Sequence, residues 1–290
     1  MTKGPVTDGF VLVDKPTGWT SHDAVARCRK IFQQKRVGHA GTLDPDATGV
    51  LLVGLGRATR LLKYVSDLEK AYVGEIVLGT TTNTLDAAGE VTGTFDMTGT
   101  TRDDVAAAAS KFGGDIEQIP PMVSAVQIGG QRLHDLARKG LEVERKPRPV
   151  TVYSIDVLGE PEVGVFTVDV VCSTGTYIRT LADDIGRALG GGAHLRNLRR
   201  RGVGAFTVDA SVPLEVLTPD AARPMAELLA HLPSVTIDAD GVDAVSHGRS
   251  LGEAGCAEGG VAVLNEAGEL VAVYRNVGGR FVPDVVLLGN

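Results

Sequence analysis

Short apolar runs, each stopped by glycine or proline, recur along the chain and predict strands more often than long helices. Gly9-Phe-Val-Leu-Val13 ends at Asp14-Lys15-Pro16, and a turn through Gly18 follows. Thr20 with Asp23 has the form of a capping box, after which Val25, Cys28 and Phe32 recur at helical spacing, so a helix is expected there with its basic residues on the opposite face. Val50 to Gly54, Tyr72 to Gly79 and Phe166 to Cys172 read as strands. The alanine-rich stretch Thr101 to Phe112, with Asp103 and Asp104 where a helix dipole favours anions, reads as a helix. Residues 260–274 alternate apolar and polar positions on either side of a turn, the pattern of a β-hairpin.

Prolines 219, 224 and 233 punctuate the weakly helical stretch from Leu217 to Val235 and set a boundary there. The pattern therefore predicts a large domain over residues 1–230 and a small β-rich one over 232–290. Residues 117–150 stand apart within the large domain. Ile119-Pro-Pro-Met122 and a Gly-Gly pair lead into Arg132, Arg138, Lys139, Arg145, Lys146 and Arg148, with only Asp135, Glu142 and Glu144 among them. A stretch this long without core periodicity reads as a protruding basic segment.

At 43% hydrophobic and 22% charged the composition is globular and excludes a disordered chain. No apolar run approaches the roughly 20 residues of a membrane helix, and the opening residues lack a signal-peptide pattern, so a cytoplasmic protein is expected. Cys28, Cys172 and Cys256 lie far apart, and the six histidines are dispersed. Neither a disulfide nor a metal site is expected.

The net charge of −7 seems unsuited to a polyanionic partner, but its distribution changes that picture. Residues 214–290 carry eleven acids and four bases, so the rest of the chain is neutral. Within that rest, residues 27–36 hold Arg27, Arg29, Lys30, Lys35 and Arg36, and residues 196–201 hold Arg196, Arg199, Arg200 and Arg201, with no acid in either stretch. Each is a candidate track for phosphates or a solvated face.

The chemistry concentrates between Val37 and Arg60. Glycines at 38, 41 and 49 permit tight backbone, and Pro45 restrains Asp44 to extended geometry. On residues alone, Asp44, or Asp44 with Asp46, is a nucleophile, an acid/base pair of the kind used on glycosidic bonds, or a turn aspartate capping its own backbone. A carbohydrate hydrolase built on the pair is disfavoured by the aromatic content of 4%.

Gly38-His39-x-Gly41-Thr42-Leu43-Asp44-Pro45-x-Ala47-x-Gly49-x-Leu51 resembles the defining motif of the TruB family of pseudouridine synthases. Asp14-Lys15-Pro16-x-Gly18-x-Thr20-Ser21, Lys70-x-Tyr72, Gly175-Thr176-Tyr177-Ile178-Arg179 and Ala193-His194-x-x-x-Leu198-Arg199-Arg200 follow the same family in order. The resemblance covers about residues 9–210. It implies an α+β fold with a central mixed, mainly antiparallel sheet flanked by helices and loops, plus a small PUA-like C-terminal domain. It implies isomerisation of uridine to pseudouridine, at position 55 in the T arm of tRNA, with no cofactor, no obligatory protein partner and a monomeric enzyme.

The same resemblance assigns the residues. Asp44 becomes the nucleophile, Arg179 its counter-ion, and Tyr72 the ring that packs on the target base and a candidate base for its C5 proton. Tyr177 and Leu198 line the uracil pocket, and His39 fills the space left by the flipped nucleotide. Lys15 and Pro16 support the active-site strand. Arg132, Arg138, Lys139, Arg196, Arg199 and Arg200 are expected on the RNA backbone, with residues 117–150 as the gripping insertion. A non-catalytic RNA-folding protein on this scaffold, and a synthase guided by a separate RNA, are the competing expectations. The acidic C-terminal unit is expected either to make few RNA contacts or to buttress the catalytic domain.

Overall fold

The computed structural model describes residues 6–124, 127–128, 130–133, 136, 140–141, 143–251 and 260–288. The apolar run at the start forms strand β1 (Gly9–Lys15), and the motif loop joins β2 (Val37–Ala40) to β3 (Thr48–Leu55). Further along come β4 (Lys70–Leu78), β5 (Gly114–Gln118), β6 (Arg148–Glu162), β7 (Val165–Cys172) and β8 (Ala193–Val203). Their order across one sheet is β1-β3-β8-β4-β7-β6-β5, with β2 paired to β3, a short strand at Val212–Pro213 outside β1 and another at Phe206–Thr207 paired to β8. Only β3 with β8, and β1 with Val212–Pro213, run parallel. The sheet is thus mixed and mainly antiparallel, as expected.

Among the described residues three helices of eight residues or more pack on it: α1 (Ser21–Ile31), α2 (Arg102–Ala109) and α3 (Ile178–Ala188). Both α1 and α2 begin with capping boxes, Thr20 with Asp23 and Thr101 with Asp104, which satisfy amide groups that a helix start leaves without partners. Val25, Cys28 and Phe32 are buried in one apolar cluster with β1 and β3, so the helical spacing read in the sequence is the core face of α1. No helix among the described residues is long and apolar enough to cross a membrane.

The C-terminal part is a four-stranded sheet, β9 (Ser234–Ile237), β10 (Gly260–Asn265), β11 (Leu270–Val277) and β12 (Arg280–Val286), with helix α4 (Ala239–Ser246) against it. The hairpin predicted over 260–274 is β10 with β11. One face shares a continuous apolar cluster with the large sheet, in which Ala262, Leu270, Val273, Val285 and Leu287 pack with Phe10, Leu12, Leu62 and Phe206. Polar ties reinforce the joint. Arg57 donates to the Leu287 carbonyl, Arg60 to the Val286 carbonyl at 2.5 Å, and Asp284 receives Lys63 Nζ at 2.5 Å and the Tyr64 hydroxyl. The acidic unit therefore packs firmly against the large sheet.

One expectation needs correction here. Residues 196–201 belong to β8, in the middle of the sheet, and Arg200 is 1% exposed. A strand places alternate side chains on opposite faces, so a run of four arginines cannot form one solvated surface.

Candidate active site

The loop that carries Asp44 is held from below. Lys15 is fully buried, and its ammonium donates to the carbonyls of Pro16 (2.9 Å), Trp19 (2.6 Å) and Pro45 (2.9 Å). All three of its protons are thereby used, and Pro45 is fixed beside Asp44. Ser21 Oγ adds a reciprocal pair with Leu43, accepting from its amide at 2.9 Å and donating to its carbonyl at 3.2 Å. Burial lowers the Lys15 pKa to about 8, partly offset by Asp46 and Asp44. Lys15 and Pro16 thus support the loop, as expected.

From above, Arg200 stands between the strands that carry the site. In the sheet register it lies across from Gly49 on β3 and from Tyr72 on β4. Its Nε donates to the Val50 carbonyl at 2.7 Å and its Nη2 to the Gly41 carbonyl at 2.9 Å. Gly49 has φ +102°, and a Cβ there would stand 2.2 Å from the Arg200 carbonyl oxygen, so only glycine lets the two strands approach. The expectation that Arg200 contacts the RNA backbone is corrected by this burial: its guanidinium is spent inside the protein, on the carbonyls of Val50 and Gly41 that flank the Asp44 loop.

Asp44 projects from that loop to Arg179, the second residue of α3. Arg179 Nε lies 3.0 Å from Asp44 Oδ2 and Nη2 donates to Oδ1 at 3.2 Å, a two-pronged pairing. The Arg179 side chain is 4% exposed and further fixed by the carbonyls of Thr84 (2.9 Å) and Val123 (2.8 Å). It also reaches a second carboxylate, Asp86, at 3.4 Å. Asp86 is in turn oriented by the Thr84 hydroxyl (2.6 Å) and the Ala88 amide (3.2 Å). Burial raises the Asp44 pKa above the usual carboxylate value, Arg179 draws it down, and Asp86 raises it again. The net direction is upward, because desolvation of the loop outweighs one cation.

A cleft of about 200 Å³ opens in front of this pair, lined among others by Asp44, Tyr72, Tyr177, Arg179, Leu198 and Arg200. Five residues expected to form the site from widely separated motifs are thus brought together, with Arg200 joining them. Tyr72 is half-buried on β4; burial raises its phenol pKa, with Arg200 acting in the opposite sense. Leu198 sits where the pairing of β8 with β4 shifts register between Arg196 and Arg199, next to Asn197 at φ +52°. That bulge turns Leu198 toward the cleft. Tyr177 precedes α3, and the buried Gln118 fixes its backbone, accepting from its amide at 2.9 Å and donating to its carbonyl at 3.3 Å. His39 lies on β2 outside the cleft lining, its Nε2 3.4 Å from Thr42 Oγ1 and its ring edge-on to His22 at 5.4 Å. Burial lowers its pKa to about 4, so it is neutral at physiological pH.

The arginines expected on RNA have other partners. Arg199 makes a two-pronged pair with Asp14, at 3.1 and 2.7 Å, and Arg196 bridges Glu75 (2.7 Å) and Glu162 (2.9 Å). The expectations for Arg138 and Lys139, and for the side chain of Arg132, lie outside the described residues. Sequence reasoning missed Asp86, Gln118 and the burial of Lys70, which lines the cleft and donates to the Ser66 carbonyl at 2.5 Å. Lys70 was visible in the Lys70-x-Tyr72 pair, but Asp86 and Gln118 stand in polar contexts that give no periodic signal. No group of histidine, cysteine, aspartate and glutamate suited to a metal occurs among the described residues.

Comparison with known proteins agrees with this geometry. Residues 29–178 match the model of the TruB family pseudouridylate synthase N-terminal domain, and residues 179–231 that of the tRNA pseudouridylate synthase B C-terminal domain. The chain belongs to the TruB family of pseudouridine synthases. It is 44% identical over 287 residues to the tRNA pseudouridine synthase B of Mycobacteroides abscessus, covering 96% of each chain. With the enzyme of the same name from Thermobifida fusca it shares 44% identity over 294 residues, 98% of this chain and 100% of that one. Among solved structures, one described as the crystal structure of a Cbf5-Nop10-Gar1 complex superposes with TM-score 0.73 at 32% identity, covering 96% of this chain and 83% of its counterpart. The structure of an H/ACA RNP bound to a substrate RNA containing 2′-deoxyuridine gives 0.73 at 29% identity, covering 97% and 85%. The pseudouridine synthase TruB fold is thus the fold of this chain.

Proposed function

We propose that this enzyme isomerises a uridine in the T arm of tRNA, position 55, to pseudouridine without a cofactor, with Asp44 as nucleophile. The observation that carries this reading is the two-pronged grip of the buried Arg179 on Asp44 at the mouth of a cleft lined by Tyr72, Tyr177 and Leu198. The reaction breaks the N1–C1′ bond, turns the uracil and forms C5–C1′. The C5 proton leaves and N1 gains one, so nothing is oxidised or transferred from outside. The chain must hold an anionic group against the sugar-base unit and keep the freed ring from escaping.

Arg179 keeps Asp44 aimed. Tyr72 and Leu198 offer apolar surface for the ring, and Tyr177 closes another side. To accept the C5 proton Tyr72 must first release its own, which burial disfavours and the Arg200 cation opposes only in part. The target nucleotide has to leave its stack, at a cost of a few kcal/mol. A neutral His39, beside the loop, is suited to occupy the vacated place by packing rather than by charge. The enzyme acts as a monomer without a protein partner, in the cytoplasm, with the insertion at 117–150 as its RNA grip. The C-terminal sheet is a PUA-like module that supports the catalytic sheet.

The test is a T-arm stem-loop RNA incubated with the protein without metal or added cofactor, followed by mapping of pseudouridine. Conversion at one uridine is expected. Asp44→Asn should reduce it by on the order of 10⁴-fold or more with RNA binding kept. A normal rate in that variant overturns the assignment.

A further inference from the structure

Two stretches of the chain carry acid-free clusters of cations, and the structure treats them oppositely. In 196–201, Arg196, Arg199 and Arg201 meet carboxylates and Arg200 is buried. On α1 and the turn after it, Arg27, Arg29, Lys30, Lys35 and Arg36 are all exposed, and none of them meets a carboxylate among the described residues. Arg29 donates to the Val37 carbonyl (3.1 Å) and Arg36 to the Thr59 hydroxyl (3.0 Å), which fixes their positions without neutralising their charge. Like charges three residues apart on one helix, as Arg27 and Lys30 are, repel one another. A polyanion relieves that repulsion.

Beside this face lies the chain's one tryptophan, Trp19, 37% exposed. Gly18, Trp19, Asp23, Ala26, Arg27 and Lys30 line a shallow depression on the protein surface. The depression holds one carboxylate, Asp23, whose Oδ2 accepts both the Thr20 amide (3.0 Å) and hydroxyl (2.6 Å) and so stays ionised, against the two cations Arg27 and Lys30 on the same rim. The depression also adjoins the catalytic loop. Lys15 Nζ bridges the carbonyls of Trp19 and Pro45, the Gly18 amide donates to the Pro45 carbonyl at 2.9 Å, and His22 of α1 touches the His39 ring.

We propose that this face of α1 is a second contact surface for the RNA substrate, in which Arg27 and Lys30 hold a backbone phosphate and the Trp19 indole stacks on an unpaired base flanking the target. The assignment rests on the uridine-isomerase reading above and adds to it where the strand runs outside the cleft. Tryptophan suits an unpaired base because every base has a π-face, whichever its identity. Flexible cations without partners suit a phosphate, because they gain a counter-charge without breaking an existing ion pair.

Trp19 supplies its own probe. The full-length protein is titrated with the T-arm stem-loop while tryptophan emission is followed, and KM, kcat and the salt dependence of binding are measured for Arg27→Ala/Lys30→Ala and for Trp19→Ala. Saturation with RNA should quench the emission. The double variant should raise KM and Kd, with kcat at saturating RNA retained, and lower the slope of log K against log salt by about 1. Trp19→Ala should weaken binding roughly tenfold or more. Wild-type KM and salt slope in the double variant overturn the phosphate contact, and unaltered emission at saturation removes Trp19 from the surface. If the wild-type protein converts no uridine, the isomerase reading itself fails. If it converts normally and both variants match it, only the α1 surface falls.

Discussion

The catalytic sheet and the C-terminal sheet are built on opposite terms. Among the described residues every buried charged side chain, Lys15, Lys70, Arg179, Asp183 and Arg200, lies in the first 200 positions. The core of the C-terminal sheet is made of Val245, Val261, Val263, Val271, Ala272, Tyr274 and Phe281, with Tyr274 satisfying its hydroxyl on the Arg249 carbonyl at 2.7 Å. Removing charge from water is costly unless each donor finds an acceptor. The catalytic part tolerates that cost where a loop must be held in one geometry, as at Lys15 and Arg200, or a carboxylate aimed, as at Arg179. The other part buries no charged side chain among the described residues and builds its core on apolar contact.

The contrast is broken most directly at Arg179. Arg179→Lys keeps the charge but loses the planar fork, and kcat should fall by roughly 10²–10³-fold with little change in RNA affinity. Single-turnover conversion of the stem-loop reads this, and a rate within threefold of wild type would show that the charge alone suffices. Arg200→Met releases the Gly41 carbonyl and with it the loop that carries Asp44. A displacement of about 1 Å is enough to cost on the order of a hundredfold in rate, accompanied by a loss of about 1–3 kcal/mol for the orphaned carbonyls. Rate and urea midpoint measured on the same preparation test both, and wild-type activity would return Arg200 to a purely structural part.

At the joint between the sheets, Asp284→Ala unties Lys63 and Tyr64. It should lower stability by about 1–2 kcal/mol while leaving kcat intact. A kcat loss larger than the stability loss would mean that the C-terminal sheet takes part in positioning the site. The smallest effect is expected from His39. Its folded-state pKa is about 4 against 6.5 ordinarily, so between those values the unfolded chain binds more protons than the folded one. Its contribution is complete above pH 6.5 and is lost as pH falls toward 4. The urea midpoint of His39→Gln should therefore change less between pH 7 and pH 5 than that of wild type. Equal changes would show that His39 is not held neutral by burial.

Much of this arrangement is legible in the chain. The capping box at Thr20, the apolar spacing of α1, the hairpin at 260–274 and the motif around Asp44 all depend on residues near in sequence. The resemblance joined Asp44, Tyr72, Tyr177, Arg179 and Leu198, which the cleft brings together. What could not be read was decided by partners far away. Arg200 looks like a surface cation until β8 is placed between β3 and β4. Asp86 becomes part of the site only because Arg179, 93 positions later, reaches it. Likewise, nothing local distinguishes Arg199, matched by Asp14, from Arg27, matched by no carboxylate.

The apolar cluster that runs from Phe10 and Leu12 through Leu228 to Val273 and Leu287 has a thermodynamic consequence. Neither sheet can melt without exposing surface that belongs to the other, so heat should carry both through one calorimetric transition rather than two. Cutting the chain near residue 232 would leave that cluster open to water. An RNA-affinity loss in such a fragment would report unfolding, not missing contacts, and point substitutions on the intact chain are the cleaner probe of what the acidic sheet does.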